Sequence, residues 1–267
     1  MVKIGIAGVA GRMGRMLVQA TQDAAGCELT SAHDYPGHAM IGQDAGEVAG
    51  VGKLGIKISG DGEFTFRDAD VVIDFSILES TMAHLKLAAQ HNTPIVIGTT
   101  GFTAEQRAEI DELAKSLPIV LAPNYAVGVN LLFKIAAEVA QVLDEDYDIE
   151  IVEAHHRHKV DAPSGTAVRL GETIADAVKR NLDEVAIYGR EGQTGARDPQ
   201  TIAFSTIRAG DIVGDHTAIF ATDGERLELT HRASSRMTFA KGAVRAAKWV
   251  ANRKPGLYDM RDILGFN

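Results

Sequence analysis

The residues most able to do chemistry stand together at 153–167, in the run EAHHRHKVDAPSGTA. His155, His156, Arg157, His158 and Lys159 fill five consecutive positions, and after Val160 comes Asp-Ala-Pro-Ser-Gly-Thr. Arginine and lysine are charged near neutral pH, whereas histidine titrates between about pH 5 and 8. Three readings compete for such a cluster. A metal site needs convergent histidines, but successive side chains on an extended segment point to opposite faces. Arg157 and Lys159 would also repel a divalent cation, and neither an H-E-x-x-H pattern nor a cysteine partner is present. No metal is expected. A solvated strand end explains isolated histidines and explains five such neighbours less well. An anion-binding catalytic loop explains them best. Ser164, Gly165 and Thr166 open a helix, whose first N–H groups suit a carboxylate. A carboxylate about 4 Å from a lysine gains on the order of 4 kcal/mol at an effective dielectric near 20. Two carboxylates on one small molecule would offset much of the repulsion within the cluster.

A second constellation lies at the start of the chain. In GIAGVAGRMGRML, Gly8, Gly11 and Gly14 sit where a strand ends and a helix begins. Such glycines allow a tight turn and close approach to a pyrophosphate, which the helix N-terminus then favours. Arg12 at the head of that helix would pair with phosphate. The spacing is G-x-x-G-x-x-G rather than the commoner G-x-G-x-x-G, but Asp34 stands 20 residues past Gly14, where a carboxylate meets a ribose 2′-OH. Asp34 would repel a 2′-phosphate, and Tyr35 brings no cation to hold one, so NADH is the expected cofactor, with NADPH possible. Two more loops, GTTG at 98–101 and APNYAVGVN at 122–130, follow strands of the same sheet, where ligands of open α/β sheets bind. The amides and hydroxyls of Gly98, Thr99 and Thr100 suit a nicotinamide ribose and carboxamide. The plainer alternative is an ordinary strand–helix loop with Thr103 capping the next helix.

The elements that must position these residues follow two textures. Through about residue 125, β-branched runs (VKIGIAG, VVIDF, PIVIGTT, PIVLAPN) alternate with helical stretches, which predicts a Rossmann-like doubly wound parallel sheet in an α/β protein. Beyond it come an apolar helix at 127–143, the strand IEIVEAHH, a helix from about Ser164 to Arg180 and three extended runs with hairpin-like turns. These predict a second α+β domain built on an open mixed sheet. A last helix, TFAKGAVRAAKWVAN, returns to the first domain, with a short tail after it. The expected division is 1–126 plus 237–267 for the dinucleotide domain and 127–236 for the substrate and oligomerisation domain. A net charge of −9 argues against nucleic acid or acidic membrane as partner. A single cysteine, Cys27, excludes an internal disulfide, no apolar run approaches the length of a membrane span, and MVKIGIAG leaves no room for a secretory segment. A cytoplasmic location is expected. Hydride carried by a dinucleotide, next to a loop that holds carboxylates and supplies protons, describes a reductase of a small dicarboxylate.

The run EAHHRHKVDAPSGTA closely resembles the signature of the dihydrodipicolinate (4-hydroxy-tetrahydrodipicolinate) reductase family of the diaminopimelate route to lysine. GVAGRMGR, DFS, VIGTTGF, APNYAVGVN, IRAGDIVGDHTAIFA and HRASSRMTFAKGAVRAA resemble family blocks in family order across nearly the whole chain. The resemblance implies reduction of 4-hydroxy-tetrahydrodipicolinate to tetrahydrodipicolinate with NAD(P)H, by hydride transfer to C4 of the conjugated, dihydrodipicolinate-like species formed when the 4-hydroxy group is lost as water. It implies that His155 is a proton donor or acceptor and Lys159 the proton donor. His156 would contact substrate, Gly165 and Thr166 would hold one substrate carboxylate, and Arg236 would help bind the other. Cofactor positions would be Gly8, Val9, Ala10, Gly11, Arg12, Met13, Asp34, Gly98, Thr99, Thr100, Ala122, Pro123, Asn124 and Tyr125. A cytoplasmic homotetramer assembled through the sheet of the second domain is implied as well. Many family members carry Glu-Arg where this chain has Asp34-Tyr35, which weighs against NADPH in agreement with the charge argument. Two alternatives stand beside this reading. A non-catalytic NAD(H)-responsive binding protein would keep the glycines and lose the proton donors. A sugar or semialdehyde dehydrogenase would show a cysteine nucleophile or a differently placed lysine, whereas Cys27 lies in the nucleotide half.

Overall fold

The computed structural model describes residues 1–266, which group into two compact units. Met1–Val127 and the stretch from Arg236 onward form the first, and Gly128–Ser235 the second. The first segment runs β1 (Val2–Ala7), α1 (Arg12–Asp23), β2 (Cys27–His33), α2 (Ala45–Ala49), α3 (Gly62–Asp68), β3 (Val71–Asp74), α4 (Leu78–His91), β4 (Ile95–Ile97), α5 (Ala104–Leu113) and β5 (Pro118–Leu121). The second unit holds α6 (Val127–Leu143, its first residue in the first unit), β6 (Asp148–His155), α7 (Gly165–Ala177), α8 (Leu182–Val185), β7 (Ala186–Ile187), β8 (Ile202–Arg208), β9 (Gly214–Thr222) and β10 (Glu225–Ala233). The chain then returns to the first unit as α9 (Met237–Val250), β11 (Gly256–Tyr258) and α10 (Met260–Leu264).

The first unit is a six-stranded sheet in the order β11-β5-β4-β3-β1-β2, with every pairing parallel. Strands covered on both faces need apolar side chains throughout, and β3 and β4 are buried at each position. The expected short tail is not a tail. Gly256–Tyr258 pairs with Pro118–Val120 as the sixth strand, too brief to show periodicity in the sequence. Thr103 does cap α5, in a capping box with Gln106. Strand order reverses at β1, which has β2 on one side and β3 on the other, and the crevice of such a sheet opens at that switch point.

The second unit is a mixed sheet in the order β10-β9-β6-β8-β7, in which β6 runs parallel to β8 and antiparallel to β9. Ile149, Ile151, Phe204, Ala218 and Phe220 project from one face and form a core with α6 and α7. Gly171 is where α7 meets the sheet, since a Cβ there would lie 2.5 Å from the Phe204 ring. On the opposite face Val152, Ile207 and Ile219 are only partly covered. Among the described residues no helix is long and apolar enough to cross a membrane.

Candidate active site

In the first unit the chain leaves β1 at Ala7 and turns on Gly8, whose φ of +70° belongs to the left-handed region that glycine enters without strain. The turn is held from within. The amides of Gly8 and Val9 donate to the His33 carbonyl, and that of Ala10 donates to Asp34 Oδ2 at 2.9 Å. Gly11 is the N-cap of α1 and offers no side chain to the first-turn amides, which have no intrahelical acceptor. An anion is the natural partner for them. Gly14 lets the helix close on the turn, since a Cβ there would stand 2.2 Å from the Gly8 carbonyl oxygen. A cavity of about 870 Å³ opens beside this turn, lined by Gly8, Gly11, Asp34, Tyr35, Phe75 and Ser76 among others. Among the described residues no lysine or arginine lines it. Asp34 is fixed at its rim by the Ala10 and Tyr35 amides, and each oxygen keeps a lone pair for a hydroxyl.

The cavity also contains residues that sequence reasoning passed over. His33 Nε2 lies 3.0 Å from His84 Nε2, and His84 Nδ1 lies 2.9 Å from Asp74 Oδ2. When His84 is neutral and donates Nδ1–H to Asp74, its Nε2 accepts and His33 donates the bond between the two rings. The Nδ1 of His33 is buried with no partner among the described residues. Burial, followed by the His84 charge, lowers the His33 pKa from 6.5 to about 4. Spacing alone would not reveal this relay, because three separate elements supply it.

The remaining expected cofactor positions lie in the loops after β4 and β5 and at the start of α1. The Thr99 hydroxyl is buried against the Thr81 hydroxyl at 2.8 Å and the Ser76 carbonyl at 3.2 Å, so Thr99 offers backbone and not its hydroxyl. Gly98 lies under Phe75, whose ring would be 2.3 Å from an added Cβ, and Thr100 is exposed. The side chain of Tyr125 is core: it is 1% exposed and donates to the Ile97 carbonyl at 2.7 Å. Ala122 is buried, Asn124 accepts from the Ala126 amide, and Pro123 is exposed. Arg12 is exposed at the first position of α1, and Met13 follows it half-buried.

In the second unit the histidine run divides at His155, the last residue of β6. His155 is buried, His156 half-buried, and Arg157 and His158 exposed in the turn. His155 Nδ1 lies 2.6 Å from Glu153 Oε2. Burial lowers the His155 pKa and outweighs the opposing pull of Glu153. Lys159 reaches Asp161 at 2.9 Å, which leaves two of its three donors for a ligand. Ser164 caps α7 by accepting from the Ala167 amide, and its hydroxyl meets His216 Nε2 at 2.9 Å. Gly165 and Thr166 are the first two residues of that helix. The strand and the helix start thus bring His155, Ser164 and their neighbours together. Arg236, read from the sequence as the last residue of the second domain, falls in the first unit, immediately before α9.

A glycine-lined crevice at the switch point of a parallel sheet defines a Rossmann-type protein, here carrying an added mixed-sheet unit with a buried histidine–carboxylate pair. Family profiles described as dihydrodipicolinate reductase, N-terminus and C-terminus, match residues 2–125 and 128–264. The chain is 76% identical over 265 residues to the 4-hydroxy-tetrahydrodipicolinate reductase of Magnetococcus marinus, covering 99% of both. It is 57% identical to that of Alkalilimnicola ehrlichii, covering 98% of both. Its fold matches a dipicolinate-bound dihydrodipicolinate reductase from Paenisporosarcina sp. TG-14 with a TM-score of 0.77 at 25% identity, over 98% of this chain and 99% of the other. The chain belongs to the dihydrodipicolinate reductase family. It is an enzyme, an oxidoreductase.

Proposed function

We propose that the enzyme uses NADH in preference to NADPH, and that His155 and Lys159 manage the proton of the reaction. The reaction is the reduction of 4-hydroxy-tetrahydrodipicolinate to tetrahydrodipicolinate, a step of lysine biosynthesis through diaminopimelate. The bound nicotinamide supplies the hydride. Gly8, Gly11 and the first-turn amides of α1, including those of Arg12 and Met13, would hold its pyrophosphate, and Asp34 a ribose hydroxyl. The cradle that a Cβ at Gly14 would fill supports this fit. Backbone groups of Gly98, Thr99 and Thr100 and of residues 122–125 would hold the nicotinamide end. The single observation that carries the preference is a cavity with Asp34 at its rim and, among the described residues, no lysine or arginine in its lining.

On the substrate side, Gly165 and Thr166 would hold one carboxylate at the start of α7, and His156 and Arg236 would complete its binding. Charge that builds on the ring as hydride arrives is neutralised by a proton from Lys159, with His155 beside it. Positioned acids of this kind contribute about 10²–10⁴-fold. The half-covered apolar residues on the outer face of the second sheet support a homotetramer formed through it. The cytoplasm is the proposed compartment, on the family resemblance. A coupled assay tests the cofactor reading: dihydrodipicolinate synthase supplies the substrate and the absorbance of each reduced cofactor is followed. A kcat/KM at least tenfold higher with NADH is expected, and a tenfold advantage for NADPH would reverse the assignment.

A further inference from the structure

A fully buried carboxylate of the second unit, bonded on both oxygens, is one that the proton chemistry above does not use. Glu153 lies two residues before His155 on β6, so the pleat sets both on the same face of the sheet. The ladder places Thr206 of β8 and His216 of β9 on either side of Glu153, and Arg208 beside His155. The Glu153 side chain has no exposed surface. Its Oε2 receives His155 Nδ1 at 2.6 Å and Arg208 Nη1 at 2.8 Å. Its Oε1 receives Arg208 Nη2 at 2.7 Å, the Ser164 amide at 3.0 Å and, more weakly, the Thr206 hydroxyl at 3.4 Å.

We propose that Glu153 is a positioning residue that fixes His155 in one tautomer and fastens it to the start of α7 and to the Lys159 turn. The inference rests on the proton role assigned above to His155 and Lys159. The amide and the guanidinium can only donate, so the carboxylate faces donors on both oxygens and remains an acceptor toward His155. Neutral His155 then carries its hydrogen on Nδ1, and Nε2 is left to take or give the working proton. Gly214 gives that nitrogen room, since a Cβ there would lie 3.0 Å from Nε2. The same carboxylate orders its surroundings in two directions. Through the Ser164 amide it fixes the residue that caps the helix of Gly165 and Thr166. Through Arg208, whose Nη2 also donates to the Asp161 carbonyl at 2.7 Å, it anchors the residue that pairs with Lys159. Proton donor and carboxylate-binding turn share one anchor.

Burial alone would raise the Glu153 carboxyl, but Arg208 and His155 together hold it below the ordinary carboxylate range. That direction agrees with an acceptor that stays ionised while His155 cycles.

The test uses the full chain labelled with ¹⁵N-histidine, whose ring nitrogen shifts are read by magic-angle-spinning NMR without substrate or cofactor. His155 is assigned by the signal lost in His155→Asn. The wild type should show the Nδ1–H tautomer with a bare Nε2. In Glu153→Gln that preference should be lost, and kcat should fall by about 10²–10⁴-fold with the KM for the cofactor unchanged. An Nε2–H tautomer in the wild type, an unchanged tautomer in the variant, or wild-type kcat in the variant would each overturn the proposal. If Glu153→Gln does not fold, the wild-type tautomer decides alone. A failed reductase assay beside the expected tautomer would indict the assigned reaction and leave the anchor standing.

Discussion

His33 shows how a single residue sets a pH dependence of the whole chain. Its folded-state pKa of about 4 lies below the 6.5 of a free imidazole, so the folded state binds fewer protons than the unfolded one between those values. Stability is therefore complete above that window and falls as pH drops through it. His216, held to about 3 chiefly by burial, acts in the same direction. Glu150 and Glu153, whose pKa values are lowered, lose their own stabilisation only as pH falls below 4.5. The His33 part should cost about 2 kcal/mol between pH 7.5 and 5, measured as a loss of urea unfolding free energy. His33→Gln, which cannot titrate, should flatten that slope; an equal slope in the variant would contradict the relay. Tyr35 is the second residue-scale prediction. It is exposed beside Asp34 at the cavity rim, and an arginine there would meet a 2′-phosphate with a fixed charge. Tyr35→Arg should narrow the gap in kcat/KM between NADH and NADPH by about tenfold, about 1.4 kcal/mol. No change in the ratio would show that the rim does not set it.

At the scale of elements, glycines decide how closely helices approach strands. The turn after β1 and the start of α1 are packed so tightly that a methyl group at Gly14 would meet backbone atoms of Gly8 and Val9 at 2.2 to 2.6 Å, and backbone does not yield as a flexible side chain does. Gly14→Ala should destabilise the protein by about 1–3 kcal/mol through overpacking and weaken NADH binding, read by calorimetry. Full NADH affinity in a folded variant would separate the turn from the cofactor. These glycines were legible in the sequence because a tight turn demands a particular residue type at a particular spacing. The helix cap Thr103 was legible for a similar reason, as a local side chain that bonds a local amide. What was not legible depends on register. Nothing local tells that Thr206 and His216 flank Glu153, because ladder partners come from strands more than fifty residues away. Glu153 itself was within reach, since period two already paired it with His155. That the Thr99 and Tyr125 hydroxyls turn into the protein was not legible, because a loop sequence does not say which hydroxyl the core will claim.

On the scale of the molecule, the two units answer to different physical demands. The parallel sheet is covered on both faces by its own helices. The mixed sheet has helices on one face and leaves Val152, Ile207 and Ile219 half-covered on the other. A second sheet laid against that face would bury them. For the homotetramer proposed above, Ile207→Glu should reduce the sedimentation mass from about four chains toward two or one, because a buried unpaired carboxylate costs several kcal/mol. A wild-type mass in the variant would place the interface elsewhere. The histidine turn is proposed to supply the proton of the reduction, and steady-state kinetics of Lys159→Ala and His155→Ala with NADH put that role to the test. Both variants should lose kcat, Lys159→Ala by about 10²–10⁴-fold and His155→Ala somewhat less, with the dissociation constant for NADH unchanged. Wild-type kcat in both variants would contradict the account.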